Sequence, residues 1–178
     1  SYDRRFEDAK EFFKRYFNAM NALGAEIFVL HGARQPVYIE EEQIFERYAM
    51  MNEFAGKFGV KIAQENVVDY LSGNPDFLLR MKNYVGDNFC SVLDIKQARR
   101  AGFSPFDFVE KLGKSIIHVH ISDFDKGNDC LPPLEGEFDF RRLFSSLKSL
   151  GFKGDYIIEL YENSFSNPRQ IQLAKEKC

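Results

Sequence analysis

Four short apolar runs each carry, at or near their end, a residue able to ligate a divalent metal. KIAQEN reaches Glu65, CSVLDI reaches Asp94, IIHVHISD holds His120 and YIIELY holds Glu159. Charged side chains embedded in apolar sequence are costly to bury without partners, so few folds accommodate the pattern. Runs of this composition, each mostly followed by a helical pattern, predict parallel strands. If their C-terminal ends share one centre, three carboxylates and one imidazole meet there. That set is hard and oxygen-rich, and it suits a divalent cation.

The rest of the chain fits strands alternating with helices. Phe6, Ala9, Phe13, Tyr16, Phe17, Met20 and Leu23 recur at three- and four-residue steps and predict a helix over 2–23, stopped by Gly24. A strand is expected over 26–32, a helix over 40–58 and a strand over 60–66. Asn74-Pro75 opens a helix through Tyr84, since Asn caps well and Pro is tolerated in the first turn. A strand follows over 91–95. Ser104-Pro105 opens a helix near 105–113, and 115–122 reads as a strand. Asp139 caps a helix to Leu150, 155–161 reads as the last strand, and Asn167-Pro168 opens a final helix.

One helix followed by five strand–helix units argues for a parallel sheet. Both a doubly wound sheet and part of a (β/α)₈ barrel satisfy that order. The length of 178 residues favours the former, because a full barrel typically needs about 250 residues. The ligand pattern favours the barrel, where all strand ends face one mouth. The whole chain, 1–178, reads as a single domain without repeats or low-complexity segments.

Bulk properties set outer bounds. Hydrophobic content of 44% and charged content of 29% fit a globular domain. A net charge of −3 gives no sign of a general nucleic-acid backbone binder and leaves room for a local basic patch. Cys90, Cys130 and Cys178 show no paired or metal-ligand spacing and fit a reduced, cytoplasmic setting. No apolar run reaches the roughly 20 residues of a membrane span.

A lone Glu at a strand end more often pairs with Lys or Arg, or caps the next helix. The recurrence at Glu65, Asp94 and Glu159 shifts the balance toward a site. His118 and His120, two apart on a strand, share a face. His120 lies nearer the C-terminal end and is the expected ligand, with His118 beside it. Asp123 could orient an imidazole through its second ring nitrogen. His31 ends the first strand and could line the same mouth. Lys96 shares the parity of Asp94 and could reach a substrate oxygen or phosphate. Arg99 and Arg100 are expected to solvate the following helix. The loop over 128–140 is long enough for a lid and too poor in glycine for a Walker-type phosphate cradle.

The ordered series VLHG, QENV, LDIKQA, HVHISD, P-x-x-EG-x-FDF and IIELYEN resembles the xylose isomerase-like barrel superfamily, in its sugar-phosphate isomerase and epimerase branch. The resemblance runs from residue 26 onward. It implies a partial TIM-type barrel in which the five units correspond to strands four to eight, the first three strands lying outside this chain. It also implies one divalent metal on Glu65, Asp94, His120 and Glu159, with Mn²⁺ or Mg²⁺ favoured over Zn²⁺ or Co²⁺. Glu65 and Glu159 would be the acid/base pair that moves a sugar proton through an enediolate. His31, Lys96, Gln97, His118 and Asp123 are the expected substrate contacts. Gln97 stands where the family often has the histidine of Asp-x-x-His, and Leu134 stands where a glycine is common.

Two alternatives carry different expectations. An apurinic-site endonuclease of the same superfamily would need a zinc cluster rich in imidazoles, and the chain has three histidines. A non-catalytic partial barrel would expose two sheet edges and invite pairing between copies, as a homo-oligomer. The expected partner is a small sugar, with no membrane and no nucleic acid.

Overall fold

The computed structural model describes residues 2–177. Its elements run α1 (Tyr2–Leu23), β1 (Ile27–Leu30), α2 (Glu41–Gly56), β2 (Lys61–Glu65), α3 (Pro75–Val85) and β3 (Cys90–Asp94). They continue with α4 (Ile95–Arg100), α5 (Pro105–Leu112), β4 (Ile116–Ile121), α6 (Phe140–Ser149), β5 (Tyr156–Ile158) and α7 (Pro168–Lys177). All five strands are parallel and neighbours follow chain order, β1-β2-β3-β4-β5. A doubly wound sheet reverses direction at a switch point and never shows that order. Sequential parallel neighbours curl into a partial TIM-type barrel with the helices outside.

Local chemistry explains the boundaries. Asn74 Oδ1 accepts from Asp76 N at 2.8 Å ahead of Pro75, and Ser104 and Asp107 form a reciprocal cap on α5. Asp139 Oδ1 accepts from Arg142 N at 2.8 Å to start α6. Gly24 and Gly151 end α1 and α6 with φ of +69° and +79°.

Two expectations need correction. After β3 the chain makes two helices, not one, because Asp94 itself caps the short α4. The last strand spans three residues rather than seven, since β5 is an edge with one neighbour.

Alternation along the strands separates two faces. Ile62, Leu93, Val119 and Ile121 point into the helix-side core with Phe45, Leu78, Phe108 and Leu143. Each such fully buried side chain contributes roughly 1.5–3 kcal/mol of hydrophobic stabilisation. Ala63, Val92, His118, His120 and Ile157 take the other parity and face the barrel interior. A register shift between Ser91 and Val92 puts His118 opposite Val92 and His120 opposite Asp94. That irregularity keeps both histidines on the inner face. Among the described residues, no helix is long and apolar enough to cross a membrane.

Candidate metal centre

Register brings the four expected ligands together. Glu65 and Asp94 are the last residues of β2 and β3. His120 lies in β4 beside Asp94 on one side and Ile157 of β5 on the other. Glu159 follows β5, and its N–H donates to Ile121 O at 3.1 Å, so the ladder continues one step past the strand. Asn66, buried directly after Glu65, clamps Asp94: its Nδ2 donates to Asp94 O at 2.9 Å and its Oδ1 accepts from Asp94 N at 2.7 Å.

His120 Nδ1 faces three carboxylates. It lies 2.8 Å from Glu65 Oε1, 2.6 Å from Glu159 Oε2 and 3.7 Å from Asp94 Oδ2. One N–H cannot serve three acceptors. Among the described residues, Asp94 Oδ2 and Glu159 Oε2 are buried oxygens without a hydrogen-bond partner, although Glu159 Oε2 lies within ion-pair distance of the ring nitrogen. Unpaired buried carboxylate oxygens are expensive, which marks the cluster as electron-rich and under-compensated.

One ligand atom from each of Glu65, Asp94, His120 and Glu159 lies within 4.8 Å of the others. Metal–ligand bonds of about 2.0–2.2 Å allow ligand atoms to stand up to roughly 4.4 Å apart, so small side-chain movements suffice for an ion. The residues fit a divalent metal in number, type and spacing.

The charges polarise one another. Burial opposes a proton on His120, but Asp94, Glu159 and Glu65 outweigh it and push the imidazole up to about 11. The His120 contact, against burial and with help from Lys96, holds Glu159 down to about 2. Without a metal, the three carboxylates therefore favour the charged form of the His120 imidazole.

The other expected residues divide. His31 belongs to the cluster: its Nε2 is 3.0 Å from Glu65 Oε2 and its ring meets Tyr70 edge-on. Lys96 belongs to it as well, buried with Nζ 3.4 Å from Glu159 Oε1 and 3.6 Å from Asp94 Oδ2. It arrives on the first turn of α4 rather than by strand parity. His118 stacks edge-on to His120 at 5.3 Å between ring centroids, and burial followed by the His120 charge lowers its pKa.

Gln97 and Asp123 are used elsewhere. Gln97 Oε1 accepts from Val68 N at 3.1 Å and tethers the loop after β2. Asp123 accepts from Phe124 N, Phe138 N and Gly136 N at 2.7, 3.0 and 2.9 Å, which spends its carboxylate on the loop after β4. It orients that loop, not an imidazole. Arg99 and Arg100 also correct their expectation: Arg99 donates to the Asp125 carbonyl and Arg100 pairs with Asp129, so both anchor the same loop.

Two residues of the centre escaped the sequence reading. Asn66 carried a signal, a polar residue immediately after a strand-end Glu. Tyr161 carried none beyond its place two residues past Glu159; its ring lies 4.6 Å from Lys96 Nζ and its hydroxyl accepts from Arg100 Nη1 at 2.6 Å.

A partial parallel (β/α) barrel with an acidic and imidazole cluster at its C-terminal mouth defines the class. A family model described as xylose isomerase-like TIM barrel matches residues 1–177, and the chain belongs to that family. Among solved structures, a D-tagatose 3-epimerase-like protein shares 27% identity at a TM-score of 0.73, with 98% of this chain and 68% of that chain covered. The IolI protein with a bound zinc atom shares 24% identity at a TM-score of 0.71, over 93% of this chain and 63% of that one. A xylose isomerase-like TIM barrel protein from Mycobacterium smegmatis, in complex with magnesium, shares 19% identity at a TM-score of 0.67, over 98% and 65%. This chain thus spans 63–68% of the lengths of these three. The last two likenesses speak for the fold alone. No match was found among curated proteins.

Proposed function

We propose that the protein is a divalent-metal-dependent sugar isomerase or epimerase. The observation that carries this reading is the cluster of Glu65, Asp94, His120 and Glu159 at the ends of four adjacent strands, its ligand atoms within 4.8 Å of one another. These four residues would hold one ion, Mn²⁺ or Mg²⁺ by the hardness of the oxygen donors. When bound, such an ion polarises the adjacent carbonyl and hydroxyl oxygens of a sugar and acidifies the C–H between them.

The chain's own groups then divide the work. Glu159, 43% exposed at the mouth, would take the proton, and Glu65, 5% exposed beside His31, would return one. Against burial, the His120 contact holds the Glu159 carboxyl down to about 2, so it is ionised and carries no proton of its own, as a base requires. Lys96 adds an ammonium beside the developing enediolate oxygen.

Elemental analysis of the wild type and of Glu159→Gln tests the reading. About one equivalent of Mn, Mg, Co or Zn in the wild type, lost in the variant, together with solvent deuterium uptake into a ketose, is the expected result. No metal in either protein after incubation with Mn²⁺ would overturn it and leave a binding role. Two or three zinc ions would turn the reading toward the nuclease.

A further inference from the structure

We infer that Tyr161 is a positioning residue: its ring seats the Lys96 ammonium against Asp94 and Glu159, and Arg100, held by Asp129, fixes the ring. The inference rests on reading the acidic centre as a sugar site and adds the group that holds its ammonium in place. Lys96 is 1% exposed, and among the described residues its ammonium meets two carboxylates, Glu159 Oε1 at 3.4 Å and Asp94 Oδ2 at 3.6 Å. Both contacts are longer than the about 2.7–2.9 Å of a close ammonium–carboxylate bond, so neither fixes the group by itself. A flexible alkyl stem leaves such an ammonium free to swing unless something closes the remaining side. The Tyr161 ring closes it. Lys96 Nζ lies 4.6 Å from the ring centroid, inside the reach of about 6 Å of a cation–π contact.

The ring is itself anchored. Its hydroxyl accepts from Arg100 Nη1 at 2.6 Å, and the Arg100 guanidinium carbon lies 5.0 Å from its centroid. Arg100 Nε and Nη2 donate to the two carboxylate oxygens of Asp129, a bidentate pair that leaves the guanidinium little freedom. Lys96 and Arg100 stand one i,i+4 step apart on α4, so a single helix face sends both cations over the same ring. From the other side, the Tyr161 backbone is extended, with φ of −82° and ψ of 158°, and follows Glu159 at the two-residue step that shares a side.

The ring also separates the ammonium from water. Tyr161 is 41% exposed and lines a cavity of ≈ 560 Å³ between the loops after β4 and β5. Lys96 is buried and, among the described residues, forms no part of that cavity's wall. Removing the ring would admit water to the ammonium and let its stem swing out toward the cavity. Lys96 would then leave the place beside the developing enediolate oxygen that the proposed reaction uses. The phenol is neither acid nor base in this role; it acts through Lys96.

Reductive methylation of the metal-free protein, read at Lys96 by peptide mass mapping, tests the seat without requiring metal or turnover. Lys96 should label about tenfold or more faster in Tyr161→Leu than in the wild type, the factor that a desolvated cation–π contact supplies. Tyr161→Phe keeps the ring face and loses the anchor, and should label only about threefold faster. Arg100→Gln removes the same anchor without touching the ring and should match Tyr161→Phe. Mn²⁺ affinity gives a second readout. Freeing the ammonium weakens its repulsion of the ion, so Tyr161→Leu should bind Mn²⁺ about threefold more tightly. In a Lys96→Met background the same change should alter that affinity by less than about twofold, because the ring acts through Lys96. Labelling within about twofold of wild type in Tyr161→Leu or in Arg100→Gln, equal labelling in Tyr161→Phe and Tyr161→Leu, or a Mn²⁺ effect undiminished without Lys96 would overturn the inference. Ring-dependent labelling in a protein that takes up no divalent metal would leave it standing and remove the isomerase reading. Metal uptake and proton exchange on a ketose, with labelling indifferent to the ring, would do the reverse.

Discussion

Lys96 shows how one residue reads differently in sequence and in space. Two places after Asp94, it suggested a strand residue of the same parity. The chain has already turned into α4, and the first helical turn delivers the ammonium to the carboxylates. Burial pulls its pKa down, but Asp94 and Glu159 outweigh that and leave it raised. With three carboxylates, a neutral His120 and a divalent ion, Lys96 brings the whole centre to neutrality. It also repels that ion. Lys96→Met should raise Mn²⁺ affinity by about tenfold or more, because two like charges at this separation oppose each other by one to several kcal/mol even at an effective dielectric near 20. The same substitution should lower the melting temperature in chelator, since it leaves Asp94 less compensated. Titration with Mn²⁺ and melts in EDTA check both arms; unchanged affinity would show that the ammonium does not bear on the metal.

At the scale of elements, the sequence disclosed what local chemistry controls. The Asn-Pro and Ser-Pro openings, the Asp139 cap and the apolar runs are all short-range signals, and the corresponding helices and strands stand where they point. The α4 helix stayed hidden because Asp94 does two jobs. Its Oδ1 caps α4 through Gln97 N at 2.8 Å while its Oδ2 faces the cluster, and a single letter does not reveal both. The loop after β4 stayed hidden for a longer-range reason. Leu131 and Asp123 exchange backbone hydrogen bonds, both 2.7 Å, and Asp123 gathers amides from as far as Phe138. Gly136 passes so close to Asp123 and the Phe124 carbonyl that a Cβ has no room. Leu134 holds φ at +70°, a left-handed conformation that explains why a glycine is common there. A loop pinned this way is a wall, not a free lid. Asp123→Ala should destabilise the fold by about 3 kcal/mol by orphaning buried amides, a fall of about 6–12 °C for a chain of this size. Metal affinity should stay within about twofold of wild type. A large loss of metal without a fall in melting temperature would return Asp123 to the site.

For the whole molecule, the sequential sheet brings the four proposed ligands to the ends of β2, β3, β4 and β5, so a bound ion would tie those strand ends together. Among the described residues, β1 and β5 each have one strand neighbour, and Ile157 on the inner face is 47% exposed. Without metal, the tie is the His120 proton, and its contribution depends on pH. His120 is raised from 6.5 to about 11, so that contribution is complete below about pH 6.5 and fades as pH rises toward 11. Glu159 is lowered from 4.5 to about 2, so its share is complete above about pH 4.5 and fades toward 2. Between 4.5 and 6.5 the metal-free protein holds both in full, and an incoming ion must evict the proton. Above 6.5 the metal-free protein loses about 1.4 kcal/mol per pH unit from His120, while the loaded protein, its imidazole already neutral, does not. The gap in melting temperature between Mn²⁺-loaded and EDTA-treated protein should therefore widen by about 3–5 °C per unit from pH 6.5 to 9. His120→Gln should abolish that slope, because no proton is then displaced. A gap that stays constant with pH would mean that the ion and the His120 proton do not compete for one place.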